Sequence, residues 1–253
     1  MPYEIRAMSF AEVLDTGFRL IRDHFALLVG IGLVLYAPLS VLGELAAQVG
    51  ASGEIEPGTA VAIAGFGLLG VALSPIAQGA MTLAIGDIYR GHQMSFGDAY
   101  RGGLRRALAL VGTYLLLMLG VLVGLVLLVV PGVYLMVAWM LATQIVMLEG
   151  IAGPTALSRS RELLRGHMMR ALGIVIVASL ITWIMVGALG LLLSGIPIVG
   201  SVAGAIAQSI GLAFYTAVGV VLYFELRCRK EDFDLEHLAQ LVERGSPTAA
   251  PIR

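Results

Sequence analysis

The sequence predicts an all-α fold: a polytopic membrane bundle of six transmembrane helices, set out as three hairpins, each preceded by a cytoplasmic amphipathic helix. Three observations lead there. Composition is the first. Of 253 residues, 58% are hydrophobic and only 13% are charged, and the mean hydropathy is +0.92. A water-soluble domain carries roughly 25% charged residues, so lipid is the expected solvent for most of this chain. The second is the number of apolar runs long enough to cross ~30 Å of hydrocarbon, which takes about 20 helical residues. The third is where the basic residues fall. The 16 Lys and Arg are confined to the N-terminal segment, residues 87–106, residues 149–170 and the C-terminal tail, while the connections at 48–59, 131–132 and 195–199 hold none. Six crossings with both termini in the cytoplasm place every basic residue on one side, which is the positive-inside pattern.

The elements follow in order. Residues 1–244 are read as a single membrane domain. Glu4, Arg6, Glu12 and Asp15 precede the first apolar run, unlike the basic-then-apolar layout of a cleaved signal peptide, so the first crossing is expected to be retained. The stretch "MSFAEVLDTGFRL" opens at Met8. Ser9 and Glu12 form a capping-box pattern. Phe10, Val13, Leu14, Phe18, Ile21 and Phe25 then recur at helical spacing opposite Glu12, Asp15, Arg19 and Arg22, as in a helix lying at a membrane surface. Crossings are predicted over about 25–47 and 60–86, with Pro38 and Pro75 as kink points. "MSFGDAYRGGLRR" then repeats the opening phrase from Met94, with Ser95 and the shorter-armed Asp98 in the cap positions. The third and fourth crossings are expected over 107–130 and 131–148, separated by Pro131 and Gly132. Proline in the first turn of the returning helix costs no intrahelical hydrogen bond. A weaker echo matches Arg22, His24 and Gly30 to Arg165, His167 and Gly173 ahead of crossings over 171–194 and 197–224. These echoes suggest an internal repeat of three units. They also arise without duplication if each inward-going helix simply needs a polar, Arg-bearing start. Residues 234–243 read as a short tail helix, and 245–253 as disordered.

Candidate functional residues are few. Cys228 is the only cysteine, which excludes an intramolecular disulfide and a cysteine zinc site. His24, His92, His167 and His237 show no H-E-x-x-H pattern, and there is no G-x-S-x-G elbow or Walker loop. No metal, cofactor, catalytic residue or nucleic-acid partner is expected. Asp87, Glu149 and Glu225 sit where the even-numbered apolar runs end. A carboxylate at a helix C-terminus opposes the macrodipole by about 0.3–1 kcal/mol, so these three are assigned to structural ion pairs with Arg90, Arg159, Arg227, Arg229 or the amphipathic-helix arginines. Contact with cytoplasmic water is the alternative. Residues 87–106 set Arg90, Arg101, Arg105 and Arg106 against Asp87 and Asp98. Residues 149–170 set Arg159, Arg161, Arg165 and Arg170 against Glu149 and Glu162. Arginine beside an anionic leaflet is worth about 1 kcal/mol. Arg101, Arg105, Arg106, Arg159, Arg161 and Arg165 are therefore candidate contacts for anionic lipid head groups, although setting topology alone also accounts for them.

The middle of every predicted crossing lacks Asp, Glu, Lys, Arg and His, where ion-coupled carriers place functional charge. A neutral or amphiphilic solute could pass Gln78 and Gln208, the alternative carrier or channel reading. Gly120/Gly124 and Gly200/Gly204 have the spacing of close helix contacts, within the chain or with a second copy.

Three motifs carry a family resemblance: "VPGVYL" from Val130, "LEGIAGPTALSRSREL" from Leu148 and "LYFELRCRKEDFDLEHLA" from Leu222. Together they resemble the prokaryotic membrane family described as glycerophosphoryl diester phosphodiesterase membrane-domain-like, with the densest likeness over about 80–240. Glu225 stands where that family tends to have Asp, and Asp232 where it tends to have Gly. The resemblance implies a helical module in the bacterial plasma membrane, tied to lipids or to membrane organisation through a protein partner. In some relatives a separate domain performs hydrolysis. No such domain is expected within these 253 residues, so the module is expected to be non-enzymatic.

Overall fold

Among the described residues the chain forms ten helices and no strands. The structure is a computed structural model and describes residues 6–51, 56–193 and 197–231. The tail helix expected at 234–243 and the segment 245–253 lie outside the described residues. The helices are α1 Phe10–Asp23, α2 Phe25–Ala51, α3 Pro57–Tyr89, α4 Phe96–Arg105, α5 Ala107–Leu127, α6 Val129–Ala138, α7 Ala142–Leu148, α8 Pro154–Leu164, α9 Met168–Leu193 and α10 Pro197–Glu231. Among the described residues six stretches are long and apolar enough to cross a membrane: Phe25–Glu44, Pro57–Tyr89, Ala107–Leu127, Val129–Leu148, Met168–Ala188 and Gly200–Glu231. The protein is thus a multi-pass membrane protein by length and composition.

The N-terminal caps differ by one methylene. In α1 the Glu12 backbone N–H donates to Ser9 Oγ, and Glu12 reaches back to accept from the Ser9 N–H at 2.6 Å. In α4 the Asp98 N–H donates to Ser95 Oγ at 3.2 Å. The shorter Asp98 side chain accepts from the Ser95 hydroxyl instead, at 2.6 Å. Both helices bury one face, through Val13, Leu20 and Ile21 in α1 and Ala99 and Gly103 in α4.

The break expected at Pro131–Gly132 falls earlier, at Leu128, whose φ and ψ of −161° and 140° are extended. In an unbroken helix the Pro131 ring would meet the Leu127 carbonyl, and that carbonyl would lose its donor. Ending α5 at Leu127 puts Pro131 in the first turn of α6 instead. The hairpin then closes tightly: a Cβ on Gly124 would stand 2.9 Å from the Gly132 Cα. This stretch also breaks a second time, over Trp139–Leu141, between α6 and α7. Ser160 of α8 fills that break. Its hydroxyl donates to the Ala138 carbonyl at 2.8 Å and accepts from the Leu141 N–H at 3.3 Å. The helix that holds the sixth apolar run, expected to cross as far as Phe224, continues as α10 to Glu231.

Contacts between helices follow a repeating order. The helices α2, α5 and α9 pack against their successors α3, α6 and α10. They pack as well against α10, α3 and α6 respectively. The short helix α1 rests on α10 and α9, α4 on α3 and α2, and α8 on α7 and α5. A Cβ on Gly32 of α2 would come within 2.8 Å of the Ser209 Cα, so the α2–α10 crossing depends on glycine. The core gathers at the end that carries the short helices. It includes Leu20, Leu28, Met81, Ile85, Tyr89, Ile145, Met147, Leu163 and the run Val220–Leu226. Away from that end Val61, Leu68, Leu122, Val126, Trp183 and Leu191 are exposed, as expected of surfaces solvated by hydrocarbon.

Candidate functional site

The charged side chains near the packed end divide into two sets, one locked inside and one facing out. The inner set is built on α7, α8 and α10. Glu149 caps the C-terminus of α7 and accepts from Arg159 Nε at 3.2 Å and from the Tyr223 hydroxyl at 2.8 Å. Arg159 also pairs with Glu231 and stands 3.7 Å from Glu162. Arg227 donates to Glu231 at 2.8 Å and to the Tyr223 hydroxyl at 3.4 Å, with its guanidinium 5.9 Å from that ring's centroid. Burial alone would lower the Arg159 pKa; the hydrogen bond to Glu231 and the charges of Glu149 and Glu231 outweigh it and raise the value. Arg159 is therefore a fixed cation. Arg106 serves a related purpose. Its Nη1 donates to the Met147 carbonyl, and to the Val146 carbonyl at 3.4 Å, satisfying acceptors that the end of α7 leaves open.

A second inner cluster surrounds Glu225, whose side chain is 0% exposed. Its Oε1 accepts from Arg170 of α9 at 2.7 Å and from Arg229. Both guanidiniums also donate to the Met8 carbonyl, at 2.6 and 3.0 Å, fastening the start of α1. Glu225 Oε2 is buried with no hydrogen-bond partner. Asp87, in the last turn of α3, pairs at 2.6 Å with Arg90, the residue that caps that helix. The macrodipole argument applies to Asp87 and Glu149, which end α3 and α7. Glu225 lies before the last turn of α10 and is buried, so its partners answer the cost of burial instead.

The outer set lies on the exposed faces of the short helices. Arg19 is held by Asp15 at 2.7 Å, Arg22 by Asp23 at 3.3 Å and Arg101 by Asp98 at 3.4 Å. Arg105, Arg161 and Arg165 are exposed. Of the six arginines expected to face lipid head groups, the structure thus turns Arg106 and Arg159 inward, because each finds acceptors within the protein. Arg161 and Arg165 line a cavity of about 500 Å³ with Tyr134 of α6, Ser158 and Glu162 of α8, and Met168 of α9.

The residues of the solute path do not share a face. Gln78 is half-buried on α3, while Gln208 is exposed on α10 between the buried Ala207 and Ser209. Gln208 therefore points away from the bundle, and a path through it loses its second marker. Gly120 faces the Trp139 ring and Gly124 faces Gly132, so that pair serves a contact within the chain. His24 and His167 stand at the joints before α2 and α9, each with a buried Nδ1 lacking a partner. Among the described residues no group of three or more His, Cys, Asp or Glu could hold a metal ion.

Sequence reasoning missed Ser160, the capping role of Arg106, and Tyr134. Only the four-residue spacing of Arg161 and Arg165 was a readable signal of a shared face.

No curated protein and no solved structure matches the chain. A family model does match, over residues 105–240, a stretch that includes α5 to α10 together with Glu149, Glu225 and the arginines of α8. The chain belongs to that family, described as a domain of unknown function (DUF8558).

Proposed function

We propose that the protein is a non-enzymatic, multi-pass protein of the bacterial plasma membrane that binds anionic phospholipid through arginines on three cytoplasmic surface helices. In this reading α1, α4 and α8 lie at the inner leaflet, both termini are cytoplasmic, and three helical hairpins form a pseudo-three-fold ring. The order of helix contacts supports the ring. Each hairpin's first helix touches the second helix of the preceding unit, and each short helix covers the preceding hairpin. Local detail agrees. Phe96 at the start of α4 lies against Gly30 in the second turn of α2, and Phe10 at the start of α1 against Gly173 in the second turn of α9. At the third junction the Gly153 N–H before α8 donates to Thr113 of α5 at 2.7 Å.

The observation that carries the lipid reading is the sidedness of the short helices. Each buries part of its apolar face against the bundle, through Val13, Leu20 and Ile21 in α1, Ala99 and Gly103 in α4, and Leu157, Leu163 and Leu164 in α8, while Arg19, Arg22, Arg101, Arg105, Arg161 and Arg165 are exposed alongside Phe10, Phe18, Phe96 and Leu104. Clustered arginine of this kind draws anionic leaflets. Native mass spectrometry after extraction in mild detergent tests it. Co-purifying lipid should be richer in anionic species than the source membrane. Replacing Arg101, Arg105, Arg161 and Arg165 by Gln should abolish the enrichment. A lipid profile identical to the bulk membrane would overturn the reading. Membrane-impermeant labelling at Ser52 and Arg253 should reach opposite compartments if the topology is as proposed.

A further inference from the structure

Resting on that reading, we infer that the cavity between α6, α8 and α9 is a discrete site for the phosphate of one anionic phospholipid per chain. Three features set it apart from the diffuse basic surface. The first is unspent charge. Arg19, Arg22 and Arg101 each have a carboxylate beside them. The side chains of Arg105, Arg161 and Arg165 make no ion pair or hydrogen bond among the described residues, and of these three only Arg161 and Arg165 line a common space. Four residues apart, they stand on one face and repel each other across a turn, a cost that a shared anion reverses. Glu162 also lines the cavity, but its carboxylate stands within reach of Arg159.

The second feature is the donor set. Arg161, Arg165, Ser158 and Tyr134 line the same space, and their side chains supply two guanidinium forks and two hydroxyls. Guanidinium matches phosphate oxygens in charge and in paired N–H geometry. A volume of about 500 Å³ exceeds what a bare phosphate needs and falls in the range of small-ligand sites.

The third feature is the wall. Tyr134 and Met168 come from membrane-crossing stretches. The same two helices carry exposed apolar side chains: Val130, Val133 and Met136 on α6, Met169 on α9. A ligand seated here meets cations at one end and hydrocarbon-facing helices at the other. That describes an amphiphile with a phosphate ester head. Soluble phosphate esters share the head chemistry but gain nothing from the apolar wall.

Native mass spectrometry of delipidated protein in mild detergent, titrated with phosphatidylglycerol, phosphatidylcholine or glycerol 3-phosphate, tests the site. Phosphatidylglycerol should give one saturable adduct of higher affinity, followed by weaker ones. Arg161→Gln with Arg165→Gln should weaken the first adduct by about tenfold or more, with the unfolding midpoint retained. Arg101→Gln with Arg105→Gln should spare the first adduct and reduce only the later ones. Arg161→Lys with Arg165→Lys, which keeps the charge and loses the fork, should fall between. Glycerol 3-phosphate binding as tightly as the lipid would overturn the phospholipid assignment. Equal loss of the first adduct in both Gln pairs would overturn the discrete site while leaving the general lipid reading intact. No preference for phosphatidylglycerol over phosphatidylcholine in the unaltered protein would overturn both.

Discussion

Arg159 and Arg161 are two residues apart on α8 and have opposite fates. An α-helix turns about 100° per residue, so the two side chains leave on nearly opposite faces. Arg159 goes inward to Glu149 and Glu231, while Arg161 lines an open cavity. The difference teaches that an arginine count on a basic helix says little until each guanidinium has been matched to an acceptor. Where the fold supplies carboxylates or helix-end carbonyls, as for Arg106, Arg159 and Arg170, the charge is spent on holding elements together. Where it supplies none, the charge is available to a ligand. Inner arginines should therefore affect stability and leave lipid binding alone, and the cavity pair should do the reverse.

The largest expected effect is at Arg170. Replacing it by Ala leaves the buried Glu225 carboxylate with Arg229 and strips one donor from the Met8 carbonyl. Breaking one side of a buried ion pair costs about 3–5 kcal/mol. Solvent access to Arg170, 24% exposed, puts the expectation at the lower end. Chemical unfolding in detergent should show that loss, with the count of bound phosphatidylglycerol unchanged in whatever fraction stays folded. A lipid deficit without destabilisation would erase the division between the two sets.

Ser160 sharpens the same contrast with no charge involved. It is fully buried and pairs both backbone groups opened by the break between α6 and α7. Ser160→Ala leaves an acceptor and a donor without a partner, a loss of about 1–3 kcal/mol. Ser160→Thr keeps the hydroxyl but adds a methyl at a fully buried position, and should recover only part of that loss. The cavity wall lies on the same helix, at Ser158, Arg161 and Arg165. A lipid affinity unchanged by Ser160→Ala would show that α8 keeps its seat without the plug.

These contrasts were only partly legible in the sequence. Six apolar stretches and the sorting of arginine depend on composition, which a linear chain displays. Ser9 and Glu12 were readable because a capping box is local. The break at Leu128 was displaced because proline acts on the carbonyl four residues earlier, so its signature stands downstream of its effect. Hydropathy marks where the last apolar run ends, at Phe224, but not where α10 ends. Its last two turns are polar but keep helical pairing through Glu225–Arg229 and Arg227–Glu231. The union of Arg106 with the end of α7 and of Arg170 with Glu225 joins residues 41 and 55 apart. No local pattern encodes such pairs; they follow from which hairpins pack together.

The smallest expected effect belongs to the outermost acid of the first short helix. Glu12 accepts from the Ser9 N–H and from Arg6, and these contacts lower its pKa from 4.5 to about 2. A depressed folded-state value means the carboxylate favours the capped helix above the unfolded value and ceases to do so as acid protonates it. The start of α1 should therefore loosen as pH falls from about 4.5 toward 2, read as faster amide exchange at Val13 and Leu14. Glu12→Gln should flatten that acid dependence, since the amide can still accept from the Ser9 N–H without titrating. The Arg170–Met8 tie limits how far the loosening spreads: it fastens the chain just before Ser9. Exchange that rises across the whole of α1, Ile21 included, would mean that the inner clamp and the outer cap do not act separately, and the division drawn at α8 would not extend to the first unit.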